Sequence, residues 1–154
     1  MLMEKGSKIN PLLTMEYMLA EPENKYFDRK SAHIKTSDLA PWVAGFANAE
    51  GGTIVIGISD KTQKLEGINS VGADKINDFL NMAKDYCKPM PQMQEEFLDV
   101  VNAQGEPDRI LLLHIESSVD RLIYMKNDSV YLRIGDRMRE IKGEDVRRLE
   151  YSKG

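Results

Sequence analysis

The stretch FANAEGGTIVIGISD, residues 46–60, constrains the fold more than any other part of the chain. Upstream, SDLAPWVAGFANAE (37–50) sets Leu39, Trp42, Val43, Phe46 and Ala47 on one face at helical spacing. A cap at Ser37 or Asp38 keeps Pro41 in the first turn, where a helix tolerates it. Downstream, TIVIGIS (53–59) is apolar on both faces and predicts a central, buried strand. Gly51 and Gly52 must turn the chain between the two. One glycine suits a left-handed cap just past a helix, and the other suits close backbone approach at a strand start. The order of helix, Gly-Gly and strand is the reverse of a phosphate loop, whose amides come from a helix that follows the glycines. Neither G-x-x-x-x-G-K-[ST] nor G-x-G-x-x-G occurs.

Two residues at the end of this stretch have competing readings. Gly57, inside a buried strand, calls for a close neighbour, which is a packed element or, alternatively, a ligand. Asp60 is either the turn-initiating acid of SDKT or an acid at the carboxyl edge of a sheet, where open-sheet folds gather ligands.

The remaining segments mix helices and strands without strict alternation, which predicts an α+β fold with a mixed sheet and three to four packed helices. NPLLTMEYMLA (10–20) reads as a helix, with Asn10 as cap and Pro11 in the first turn. KYFDRK (25–30) reads as a short strand. Residues 70–87 form a third helix carrying Val71, Ile76, Phe79, Leu80 and Ala83, ended by Pro89 and Pro91. EEFLDVV and RILLLHIES flank the turn AQGEPD as a hairpin, and RLIYMKND and SVYLRIG give two more strands around Asn127-Asp128. A last helix covers 143–151. The expected organisation is an N-terminal helical extension (1–19) and one domain (20–151), with no repeat or linker.

Length and charge exclude several classes. A chain of 154 residues buries a core without staples. No apolar run approaches the roughly 20 residues a bilayer span needs, and MLMEKGSKIN lacks a signal-length apolar core, so the expectation is a cytoplasmic protein with no membrane partner. The single cysteine, Cys87, excludes an internal disulfide and a thiolate zinc cage, and reads as a packed thiol. The net charge of −4 excludes a polycation, yet seven of the eight arginines follow residue 108 and five lie in 133–148. Asp136, Glu140, Glu144 and Asp145 interleave with them, so a solvated mixed-charge face and an arginine patch for phosphates are both open readings. His33 reads as a loop residue, His114 as a hydrogen-bonded core histidine, and Trp42 and Tyr17 as core; Tyr124 and Tyr131 are better placed for stacking on bases.

Three pieces taken in order, EPENKYFDRKSA (21–32), VAGFANAEGGTIVIGISD (43–60) with LEGI (65–68), and VYLRIGD (130–136), resemble the Schlafen-family AlbA-like domain over residues 20–150. The middle block is the specific one. The resemblance implies nucleic-acid binding, of DNA or RNA, and in some members a metal-dependent endoribonuclease with three carboxylates. Carried over by motif position, those acids are Glu23, Asp28 and Asp60, which would hold Mg²⁺ or Mn²⁺. Asp28 stands where the family usually has glutamate, Arg29 where an aromatic or apolar residue is usual, and Asp136 where a small hydroxyl residue is common. Glu23 and Asp28 would share a face only with Glu23 in a turn ahead of the strand.

The expected phosphate-contacting set is Lys30, Arg133, Arg137 and Arg139, with Tyr131 for stacking. The first expectation is a nucleic-acid-binding domain of transcription-regulator type. The alternatives are the nuclease and a non-catalytic interaction module at the front of a larger ATPase-like regulator. The terminal YSKG fits either a natural end or a boundary inside a longer chain. Eukaryotic relatives pair two such lobes, which leads to the expectation of a homodimer.

Overall fold

The computed structural model describes residues 14–20, 22–59 and 61–153. Asp60 and the predicted helix start at Asn10 and Pro11 lie outside the described residues. In chain order the elements are α1 (Met15–Ala20), β1 (Phe27–Lys30), α2 (Thr36–Asn48), β2 (Gly52–Ile56), a 3₁₀ turn (Asn69–Val71), α3 (Ala73–Leu80), α4 (Met82–Tyr86), β3 (Cys87–Lys88), β4 (Met93–Val101), β5 (Pro107–Ile115), β6 (Tyr124–Met125), β7 (Val130–Ile134), β8 (Arg137–Ile141) and α5 (Glu144–Lys153). The expected α+β class with a mixed sheet is what forms.

The main sheet runs β1-β2-β5-β4, with β1 parallel to β2 and the other pairs antiparallel. It is covered on both faces because β2 is apolar on both, as TIVI demands. One face carries Ile54, Ile56, Leu111, Leu113 and Ile115 and packs against Leu39, Val43, Phe46 and Ala47 of α2 with Phe79 and Met82. The other carries Phe27, Val55, Ile110 and Leu112 beneath Met18 of α1. Toward one end this second face turns polar. Thr53 Oγ1 lies 2.9 Å from His114 Nδ1 and His114 Nε2 lies 3.0 Å from Glu96 Oε1, linking three strands through a core histidine of the expected kind.

The Gly-Gly turn behaves as its chemistry requires. Gly51, at φ +77°, donates its amide to Phe46 O (2.9 Å) and closes α2 with a left-handed residue. At Gly52 a Cβ would stand 2.7 Å from Tyr26 O, so only glycine lets β1 and β2 meet at that point. Gly57 has the packed neighbours expected of it, Ile110 and Ile68.

Several boundaries differ from expectation. The β2 ladder ends at Ile56, since Gly57 turns the chain and Ile58 makes only a bridge to Leu65. α2 begins at Thr36 without a side-chain cap, which puts Pro41 in the second turn. The expected helix 70–87 divides at Asn81, its Nδ2 donating to Asn77 O, and Cys87 joins a strand. That division gives five described helices where three to four were expected. RLIYMKND and SVYLRIG form no strand ladder with each other, although Met125 donates its amide to Ser129 O (2.8 Å) across the turn. β6 pairs with β3, and β7 pairs with β8, a strand hidden in the charged run RMREI.

Candidate nucleic-acid interface

β1 and β7 place the motif residues Asp28 and Arg133, 105 positions apart in sequence, in direct contact. Arg133 Nη1 donates to Asp28 Oδ2 at 2.6 Å, and both side chains are fully buried. Arg133 Nη2 donates to Asn24 O (2.7 Å) and Phe27 O (3.2 Å), while the guanidinium lies over Phe46 and Trp42, with centroids at 4.7 and 5.4 Å. Lys30 shares the Asp28 face of β1, as strand alternation dictates. Its ammonium sits 3.2 Å from Asp28 Oδ1 and 3.6 Å from the Trp42 centroid, and its side chain is 13% exposed. The group comprises two ion pairs and three cation–π contacts in low dielectric, all on the sheet face that α2 covers.

Glu23 lies in the segment ahead of β1, and its Oε2 accepts the amide of Arg29 at 3.2 Å. That bond occupies an amide on the edge strand β1, which would otherwise be open to a foreign strand. Arg29 points to the opposite face from Asp28, where it is buried and donates Nε to Met18 O at 2.9 Å. An apolar position of the family pattern is thus held here by a buried arginine that anchors α1.

Asp28 faces two cations, and no group of three acidic, histidine or cysteine side chains among the described residues could hold a metal ion. The described oxygens do not converge on a cation site, and Asp60 lies outside the residues searched.

The β7–β8 hairpin has two distinct faces. Tyr131, Arg133, Met138 and Glu140 share the inner face, and Met138 packs over Gly45 of α2, where a side chain would collide with its sulfur. Tyr131 is half-buried there, and burial, assisted by Glu140, raises the pKa of its hydroxyl. On the outer face Arg137 and Arg139 are exposed, and no ion pair among the described residues involves them. Arg147 and Arg148 of α5 instead pair with Glu144 and Asp145 one turn away. Tyr124 donates its hydroxyl to Glu150 at 2.7 Å, tying α5 down. Of the five expected nucleic-acid residues, Arg137 and Arg139 share an exposed face, whereas Lys30, Tyr131 and Arg133 lie on the inner side.

Residues 23–142 match the Schlafen, AlbA_2 family. The chain belongs to that family. The match contains every predicted site residue, Glu23 and Arg139 being the outermost. Among solved structures the Schlafen-family chain is similar to the DIP2311 protein from Corynebacterium diphtheriae, at 19% identity and a TM-score of 0.54 over 82% of this chain. This chain covers 25% of that one, so the likeness speaks for the fold alone. No curated protein matches.

Two residues that organise the domain were not singled out from sequence. Asn48, in the middle of FANAEGG, donates Nδ2 to Ile123 O and Tyr131 O (both 2.9 Å) and accepts Ile123 N (2.8 Å). An amide inside an apolar helical run was the available signal. Asp108 accepts the amides of Ile68, Asn69 and Arg109 and Asn102 Nδ2, all within 3.0 Å. Burial acts to raise its pKa, but the hydrogen bonds, Asn102 first, outweigh it and hold the carboxyl below its ordinary range. Burial also raises the Cys87 thiol to about 11, in keeping with an inert core residue.

Proposed function

We propose that this Schlafen-family chain binds nucleic acid through the outer face of the β7–β8 hairpin, with Arg137 and Arg139 contacting phosphates. The observation that carries the reading is the pair of exposed arginines two residues apart on one strand face, with no ion pair among the described residues. Guanidinium forks so placed have their donors available to phosphate oxygens. Family membership supports the same reading. Arg133, Lys30 and Tyr131 then act from behind. They hold β1, α2 and β7 in one unit so that the hairpin is presented rigidly.

Filter or fluorescence binding across a salt series tests this. Arg137→Ala with Arg139→Ala is expected to lower the slope of log affinity against log salt by about 1.4–1.8, since each phosphate left without its arginine removes about 0.7–0.9. An unchanged slope in a folded variant would remove the assignment.

The hydrolytic alternative rests on Glu23, Asp28 and Asp60 with Mg²⁺ or Mn²⁺, and we rank it lower because Asp28 is committed to Arg133 and Lys30. RNA cleavage in Mn²⁺ by the wild type, abolished in Asp60→Asn, would reverse that ranking. The proposal includes a homodimer, for which light scattering would give about twice the chain mass of 17.5 kDa.

A further inference from the structure

Between the loop after β2 and the β4–β5 turn lies a cavity of about 670 Å³. That volume falls within the ~300–1,000 Å³ typical of small-ligand sites. Its walls are stitched together. Asp108 accepts amides of Ile68 and Asn69 from one wall and the Asn102 side chain from the other, and Ala103 donates its amide to Leu65 O at 2.8 Å across them. Gly67 approaches Asp108 so closely that a Cβ would overlap the carboxylate. A cavity built this way is preorganised, and a ligand entering it has little loop ordering to drive.

The lining leaves specific groups unused. The side chains of Gln104, Glu106, Ser70 and Lys64 make no hydrogen bond among the described residues, and Glu66 engages only Oε1, with Ser31 and Ala32. Three carboxylates, Glu66, Glu106 and Asp108, against the one ammonium of Lys64 make an acceptor-rich, net-negative recess that disfavours a phosphate and favours a neutral group with N–H donors. A carboxylate beside an amide side chain is the pair that reads exocyclic amino groups on base edges.

We propose that this cavity receives one unstacked nucleobase bearing an exocyclic amino group, its donor edge toward Glu106 and Gln104 and its phosphate outside. The inference rests on the nucleic-acid reading above and deepens it. The domain selects single-stranded segments by an amino-bearing base while the hairpin arginines hold the backbone.

The test uses the full chain with two probes, CMP against UMP by amide chemical shifts, and short oligo(C) against oligo(U) by fluorescence anisotropy. CMP is expected to shift the amides of Ser70, Ala103 and Gln104 where UMP does not. Oligo(C) should bind roughly tenfold tighter than oligo(U), within the discrimination of one good carboxylate–base pair. Glu106→Gln with Gln104→Ala should erase that preference, so that oligo(C) and oligo(U) bind alike. Equal binding of the two oligomers with no CMP selectivity, or a preference that survives in the variant, would overturn the assignment. Selectivity for CMP without binding of any oligomer would uphold the cavity and remove the hairpin reading instead. Absence of both would remove both.

Discussion

Asp28 and Asp108 are the two buried acids among the described residues, and the regions around them satisfy a carboxylate by different means. Asp28 faces two cations, Arg133 and Lys30, brought in from β7 and from its own strand. Asp108 faces no cation; three backbone amides and one side-chain amide surround it. Amide donors are available wherever the chain turns correctly, so the Asp108 site depends on loop geometry. The Asp28 site depends on the identity of one distant side chain. Full burial makes that dependence costly, because Asp28 Oδ2 would lose its donor with no water to replace it, leaving only Lys30 beside the carboxylate.

Breaking the Asp28 region should therefore have the largest effect. Arg133→Met is expected to lose about 3 kcal/mol in urea denaturation, the low end of the cost of breaking a buried pair, since Lys30 stays 3.2 Å from Asp28 Oδ1. Adding Asp28→Leu to that variant should recover most of the loss, since a buried pair exchanged for apolar groups is often near neutral. Failure of the double variant to recover would mean that the pair does more than satisfy itself.

The Asp108 region should yield less. Asp108→Asn is expected to cost about 1–3 kcal/mol, the range for leaving buried donors badly paired. The pH dependence follows from the depressed carboxyl. Its contribution is present above the unfolded-state value of about 3.9 and is lost as pH falls through the lower folded value. Denaturation midpoints measured toward acid should thus fall less steeply for Asp108→Asn than for the wild type. Gly67→Ala sharpens the contrast from the backbone side. At φ +79° with Asp108 in the way, it should cost more than about 1 kcal/mol, although it alters no donor or acceptor.

The smallest stability effect belongs to the hairpin's outer face. Arg137→Ala and Arg139→Ala should each move the midpoint by no more than about 0.5 kcal/mol, because neither side chain is buried or ion-paired among the described residues. A large loss there would mean that these arginines belong to the frame.

The packing role of Gly57, the core placement of Phe46 and Val43 and the hydrogen-bonded state of His114 all follow from local pattern, and all are found. β8 was hidden because RMREI alternates charge with apolar residues so briefly that a solvated face explains it equally well. The split at Asn81 was hidden because its flanks, Phe79 and Met82, keep helical spacing across it. Among the site residues, exposure divides Arg137 and Arg139 from Arg133. Strand parity alone could have shown this, had β8 been recognised and its register with β7 known.

The amino-acid sequence by itself determined the helix, glycine turn and doubly buried strand at the centre, since each depends on spacing and φ preference within a few residues. Only the tertiary structure decided that Arg133 would be spent on Asp28, that Asn48 would tie α2 to Ile123 and Tyr131, and that Asp108 would close a cavity. Those pairings join residues 39 to 105 positions apart, and nothing local distinguishes an arginine that meets a buried carboxylate from one that meets water.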